Sequence, residues 1–463
     1  MSNLNLNDIA EKYFDFDKQS RLRKSTASYN FDSQIYESSK IATEHNRDLS
    51  LALLEEPSYQ QVLRPYFGKL GANYQGIGTH PDFSHLEKTS NTELHYIVTM
   101  FIDIKGSTRL NLLLDLEDAF YVKNRVLQAA IDVVRSFDGH PHRLMGDALM
   151  AFFGGKNTTK ECAITDAINA CAMLRLALTE TVFPQLDRYI KSKSNLAIRI
   201  GIDFGDDENI LWGCYGFENV TEVTAQGLNV DCASKLQHQA NSNHVMMGGN
   251  ITKYIDFPEQ FTSIKKKEID GRIREEPYLK PNITDKDGAP INYEMFHLNH
   301  DKYIDLLPIP IKWKRTINGN NLIELSGVRY WCEVFENNKW SQYASVSRFL
   351  DPNLDLKFIV HITTDIVNRH GGLTIKFTKK NNGKEAGEDV KPVEYNQYLY
   401  QSRGGRNGPP TPISTVETTE KTIYRGLHTM TVEIISMSSG VTIYRNIIGV
   451  YIYGENKQTY LLT

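Results

Sequence analysis

Two carboxylates stand where a divalent cation and a phosphate could be held together. Asp103 closes the β-branched and aromatic run Ile97–Ile102, which reads as a buried strand. Gly106-Ser107-Thr108 then open a helix expected over Arg109–Leu116. The second carboxylate, Asp147, lies in His142–Phe153, where Gly146-Asp147 separates a short polar-to-apolar run from Ala148–Phe153 as a hairpin turn would. Hard oxygen ligands at strand ends and turns suit Mg²⁺ or Mn²⁺. Free N–H groups at the start of a helix suit an anion. The plain alternative is a strand-end Asp and an unrelated Gly-Asp turn. Both motifs together, at this separation, favour the metal site.

The elements that must position them follow in order. Ala119–Phe137 and Asp166–Glu180 carry apolar residues at helical spacing, and Leu196–Phe204 alternates as a strand. Asn209–Tyr215 and Glu222–Thr224 are shorter strand-like pieces, Gln226–Gln239 is a third helix and His244–Met247 a short strand. This β-α-β-β-α-β order predicts an α+β, ferredoxin-like sheet covered on one face by helices, assigned to residues 91–256. Residues 1–90, with Leu51–Leu54, Val62 and Leu63, are expected to form an N-terminal helical arm or a partly disordered leader. Residues 257–307 are a charged, turn-rich connector with one closing strand, Tyr293–Leu298. From 308 to 463 the texture is all-β and sandwich-like. Leu354, Leu356, Phe358, Val360 and Ile362 alternate strictly, and Gly372–Thr378, His428–Ile435 and Val441–Tyr453 are further β-rich runs. The segment Gly404–Pro412 reads as a surface loop able to meet a partner.

Composition narrows the class. A chain of 463 residues allows roughly two to four domains. A net charge of −4 argues against bulk binding of nucleic acid or a membrane surface. The five cysteines include no CxxC pair, which favours a reduced chain over a disulfide framework or zinc site. No apolar run approaches the roughly 20 residues of a membrane span, and the polar N-terminus is no signal peptide. A cytoplasmic protein is expected.

Phe101-x-Asp103-Ile104-x-Gly106-Ser107-Thr108, followed by Gly146-Asp147-Ala148, resembles the metal-binding signature of the class III nucleotidyl cyclases. The resemblance covers about Glu93 to Asp256. It implies two Mn²⁺ or Mg²⁺ ions per active site, held by Asp103, Asp147 and the backbone carbonyl of Ile104. It also implies that the N–H groups of Lys105–Thr108, with Gly106, Ser107 and Thr108, cradle the β- and γ-phosphates. Where that family carries Val-Asn-x-Ala-x-Arg, this chain reads Val230-Asp231-Cys232-Ala233-Ser234-Lys235. Asp231 thus stands at the ribose-orienting position, or else caps or pairs locally. Lys235 stands at the transition-state cation position, keeping the charge without the guanidinium fork.

At the base-reading positions the chain has Arg143 and Thr224. Arg143 offers donors only, which suits the O2 carbonyl of a pyrimidine or the O6 of guanine. Phe101, and more weakly Tyr96, are candidates to line the base pocket; otherwise they are ordinary core. These departures resemble the pyrimidine cyclases of Pycsar antiphage defence. That resemblance implies a pyrimidine nucleoside triphosphate as substrate, CTP favoured and UTP next, giving the 3′,5′-cyclic nucleotide and pyrophosphate. The product would activate a separate effector. The C-terminal module is similar to the sensor domain found behind some antiphage cyclases. Because class III sites are shared between subunits, a homodimer with two equivalent sites is implied. The alternatives are an adenylate or guanylate cyclase with an unusual base pocket, and an inactive nucleotide-sensing module. Retention of both Asp103 and Asp147 counts against the latter.

Overall fold

The protein was analysed as a computed structural model, which describes residues 6, 59–190, 193, 195–314, 321–400 and 413–454. The helix expected near Leu51–Leu54 and the loop expected at Gly404–Pro412 lie outside the described residues.

The site is built on a seven-stranded sheet. Its strands are β1 (Ile97–Lys105), β2 (His140–Met145), β3 (Ala148–Phe153), β4 (Ala197–Gly205), β7 (His244–Gly248), β8 (Thr262–Ser263) and β9 (Met295–Leu298), ordered β2-β3-β1-β4-β7-β9-β8. Between them run α1 (Ser107–Leu113), α2 (Leu116–Ser136), α3 (Lys160–Ala177) and α4 (Leu228–Gln239). The hairpin β5 (Leu211–Phe217) and β6 (Val220–Gln226) stands off the main sheet. β1 is central and antiparallel to both β3 and β4. It runs two residues past Asp103, and α1 starts two residues earlier than the sequence suggested. Gly106 supplies the left-handed backbone, φ +91°, that lets the strand turn directly into the helix.

The alternation along β1 assigns its faces. Val98, Met100, Ile102 and Ile104 enter the large core beneath α2 and α3, while Ile97 and Phe101 pack on the other side with Phe83, Met150, Phe152 and Trp212. Helices were expected on one face only, but α4 packs on the second. Gly201 of β4 allows this, since a Cβ there would stand 2.2 Å from the Gln237 backbone nitrogen and 2.3 Å from the Ala233 carbonyl oxygen. β8 and β9, drawn from the expected connector, complete the sheet's edge, so the sheet extends beyond residue 256.

The N-terminal segment is docked. Helix Tyr59–Tyr66 reaches α2 through Arg64, which donates to Asp138 Oδ1 (2.6 Å) and to the carbonyls of Arg135 (3.2 Å) and Ser136 (3.3 Å). The helical stretch Lys160–Arg188 is long and apolar enough to cross a membrane, which the sequence reading did not anticipate. Most of that stretch is buried inside the protein.

The C-terminal unit is a two-sheet sandwich, as its alternation suggested. One sheet contains β10 (Val328–Glu336), β11 (Lys339–Tyr343), β13 (Asp355–Thr363) and β16 (Ile413–Lys421) in the order β11-β10-β13-β16. The other contains β12 (Phe349–Leu350), β14 (Leu373–Lys380), β15 (Val393–Leu399), β17 (Gly426–Ser436) and β18 (Thr442–Ile452) in the order β12-β18-β17-β14-β15. The sandwich does not hang free. Val346, Phe349, Leu427 and Tyr451 belong to the same hydrophobic core as α2, α3 and β1. Asn169 on α3 donates to the Val346 carbonyl (2.8 Å) and accepts from the Tyr303 hydroxyl (2.9 Å), which lies 3.3 Å from the Tyr451 hydroxyl.

Candidate active site

Asp103 and Phe101 share one face of β1, a single pleat apart. Asp103 is half-buried and accepts from Arg199 Nε (3.2 Å) and Nη2, and from Gln237 Nε2 (3.2 Å). Arg199 reaches it as the cross-strand neighbour on β4, and Gln237 comes from α4. Asp147, in the β2–β3 turn, accepts from the hydroxyl of Ser107 in the first turn of α1. The strand end, the hairpin turn and the start of α1 therefore meet, as the spacing implied. The donor set at this junction is hard, half-exposed carboxylate oxygen, with the Ser107 hydroxyl on Asp147. That chemistry fits Mg²⁺ or Mn²⁺, provided that Arg199 and Gln237 give up Asp103.

A second group gathers around Arg143. The β2–β3 register shifts between Pro141 and Arg143, inserting His142 as the extra residue of a bulge. Consecutive side chains, which a regular strand sends to opposite faces, here both reach Glu222 on β6. Arg143 donates through Nε to Glu222 Oε1 (2.9 Å) and through Nη2 to Oε2. His142 Nε2 lies 3.0 Å from Thr224 Oγ1 and 2.9 Å from Glu222 Oε1. Its Nδ1 lies 2.9 Å from the Gly78 carbonyl oxygen. A carbonyl only accepts, so Nδ1 carries the proton there. Burial holds this imidazole below its ordinary pKa, while the Gly78 carbonyl and Glu222 pull the other way. His140 Nε2 donates to the same carbonyl (2.8 Å), so the segment around Gly78 straps the back of this cluster. Phe83 continues the strap by stacking on Trp212, 3.8 Å between centroids.

The other expected residues divide. Phe101 faces the site, half-buried against the Trp212 cluster. Tyr96 does not line a base pocket. It has the opposite parity to Phe101 and Asp103, its ring sits in the α2–α3 core, and its hydroxyl bonds the carbonyls of Gly155 (3.3 Å) and Thr158. Asp231 is exposed and Lys235 half-buried on α4, and among the described residues neither pairs with Asp103 or Asp147. Gly106, Ser107 and Thr108 form the turn into α1, with the Ser107 side chain committed to Asp147. Ile104 keeps its ladder place opposite Ile198.

Sequence reasoning missed Arg199, Gln237, His142 and Glu222. Arg199 and Glu222 were within reach of it. An arginine inside the apolar run of β4 needs a partner, and Glu222 lies two residues before Thr224, hence on the same strand face.

Under α4 lies a buried support. Asp203 is fully buried and accepts from the Tyr293 hydroxyl (2.8 Å), Asn229 Nδ2 (3.2 Å) and the Phe204 N–H (2.9 Å). Burial pushes its carboxyl up to about 7, against these hydrogen bonds. The folded protein therefore binds a proton here that the unfolded chain has already released, and stability falls as pH rises from about 4 through 7. Melting temperature should drop between pH 5 and 8, and Asp203→Asn should flatten that drop. An unchanged slope in the variant would remove Asp203 as its source.

The profile described as the adenylate and guanylate cyclase catalytic domain matches residues 90–280, and that described as the adenylyl/guanylyl and SMODS C-terminal sensor domain matches residues 302–453. Fold and site thus define a class III nucleotide cyclase with an appended sensor domain. A cytidylate cyclase of Escherichia coli is 43% identical over 405 residues, covering 86% of this chain and 88% of that protein. One of Staphylococcus aureus is 33% identical over the same shares. The chain belongs to the family of these cyclases. Among solved structures, the adenylyl cyclase CyaB from P. aeruginosa matches at 20% identity and TM-score 0.36, over 45% of this chain and 95% of that one.

Proposed function

We propose that this chain is a phosphorus–oxygen lyase that converts CTP to 3′,5′-cyclic CMP and pyrophosphate, with UTP the second-best substrate. The observation that carries this reading is the placement of two clusters. The carboxylates Asp103 and Asp147 gather with Ser107 at the end of β1, and a donor-bearing group, Arg143 with Glu222 and Thr224, sits on β2 and β6. The names of the relatives support the base.

In the reaction the 3′-hydroxyl gives up its proton to solvent and its oxygen attacks the α-phosphorus. The O3′–Pα bond forms, the bond from Pα to the bridging oxygen breaks, and pyrophosphate leaves. Two divalent ions, Mn²⁺ or Mg²⁺ on Asp103, Asp147 and the Ile104 carbonyl, would lower the hydroxyl pKa and neutralise the phosphates. The turn at Gly106–Thr108 offers N–H groups to the β- and γ-phosphates. Lys235 places a cation against the charge growing on the transferring phosphoryl group, and Asp231 holds the ribose. These two, with the base-reading Arg143 and Thr224, act from the partner subunit of a homodimer, so each of its two sites is composite. The cyclic nucleotide serves as a messenger to a separate antiphage effector.

Incubation with each of the four ribonucleoside triphosphates and Mn²⁺, with products identified by mass, tests the reading. Cyclic CMP should dominate, and a predominant purine product would overturn it. Arg143→Ala should lower CTP turnover about ten- to two-hundred-fold in kcat/KM, the value of one charged hydrogen bond to the base. ATP turnover should change little. Equal losses would move Arg143 to the phosphates or the fold.

A further inference from the structure

We infer that Glu222 is a specificity-determining residue that selects cytosine over uracil, a step that rests on the CTP reading above. Glu222 binds Arg143 through two of its three guanidinium nitrogens, Nε at 2.9 Å and Nη2. Among the described residues, the second N–H of Nη2, next to the carboxylate, and both N–H groups of Nη1 have no partner. The bond to Glu222 therefore does two things. It fixes the plane of the guanidinium, and it sets a carboxylate acceptor beside a free donor.

Neither group is buried away from a ligand. The Arg143 side chain is 42% exposed and that of Glu222 35%. Arg143 stands opposite Met150 on β3, and Met150 opposite Phe101 on β1, so the pair shares the sheet face that carries Asp103. Each carboxylate oxygen has two lone pairs, so Glu222 can hold Arg143 and still accept another hydrogen bond.

The edge of a pyrimidine settles what such a pair prefers. Cytosine presents N3, an acceptor, next to its 4-amino group, a donor. Uracil presents the inverse, an N3–H donor next to the O4 acceptor. An arginine donor beside a glutamate acceptor complements cytosine at both positions. Against uracil it sets N–H toward N–H and carboxylate toward carbonyl. Sites built to bond a polar group reject the ligand lacking it more strongly than apolar pockets reject a missing methylene.

The test uses the full-length protein and compares kcat/KM for CTP and UTP. Glu222→Gln keeps an acceptor for Arg143 and adds an N–H that can meet uracil O4. The CTP-to-UTP ratio should fall at least about tenfold, mainly through KM. A ratio left as in wild type, with both substrates slowed alike, would show that Glu222 merely supports the strand. A second arm needs no variant. The triphosphate of pyrimidin-2-one riboside keeps O2 and N3 but lacks the amino group. Wild-type enzyme should use it about ten- to two-hundred-fold less efficiently than CTP. Use as efficient as CTP would overturn the assignment even where the variant fails to fold. Wild-type CTP turnover in the same assay reads the parent proposal separately, so a cyclase that makes cyclic CMP but ignores the amino group overturns only the role of Glu222.

Discussion

Asp103→Ala and Asp147→Ala should each lower turnover at saturating nucleotide by about a thousandfold, the effect of losing several kcal/mol of charge stabilisation. The two losses should differ in their side effects. Asp147 accepts from the Ser107 hydroxyl alone among the described residues, so its removal leaves one neutral group to be solvated. Asp103 partners Arg199 and buried Gln237, so its removal strands a cation on the sheet and should also lower the melting temperature. Asp103→Asn, which keeps an acceptor for both, separates these effects: activity should stay lost while stability returns. Binding of Mn²⁺, followed by the loss of its free paramagnetic resonance signal, gives a readout besides activity and should weaken in all three variants. Turnover above roughly a tenth of wild type in either alanine variant would remove that carboxylate from the metal site.

Mixing inactive subunits should restore activity. On α4, Asp231 is exposed and Lys235 half-buried, and among the described residues neither pairs with Asp103 or Asp147. Apolar surface on the hairpin also calls for cover, since Phe217 and Val220 at the tip of β5–β6 are 77% and 82% exposed. In a dimer of one Asp147→Ala and one Lys235→Ala subunit, one composite site carries both lesions and the other carries neither. Random exchange should then yield about a quarter of wild-type activity from two dead proteins. Persistent inactivity, after exchange has been shown by tagged subunits, would place the whole site within one chain.

Much of this site was legible in the chain because its parts are local. A strand ending in Asp, a glycine that must turn and a Gly-Asp hairpin all lie within short stretches, and their parity and spacing carry over directly. Tyr96 shows how parity corrects a guess. Tyr96 immediately precedes β1, and its odd separation of seven from Asp103 sends it to the opposite face of the sheet. What the chain did not disclose was non-local. Gln237 reaches Asp103 only because Gly201 lets α4 lie close on β4, and no period in either segment announces that approach. The Arg143–Glu222 pair depends on the bulge at His142, one extra residue that turns two consecutive side chains toward one strand. Likewise, the largely apolar texture of Lys160–Arg188 goes with burial of most of it, partly against a sandwich that begins more than a hundred residues later.

That last contact bears on inheritance. With Asn169 satisfied by Val346 from the sandwich and by Tyr303 from the approach to it, neither half of the protein has a finished surface without the other. A lineage that acquired a new sensor by recombination near residue 305 would gain a bare apolar helix and an orphaned amide together with the new specificity. New sensing properties should therefore accumulate at the distal rim of the sandwich. The face against α3 should change only in step with its partner, so the cyclase and its detector descend as one heritable unit.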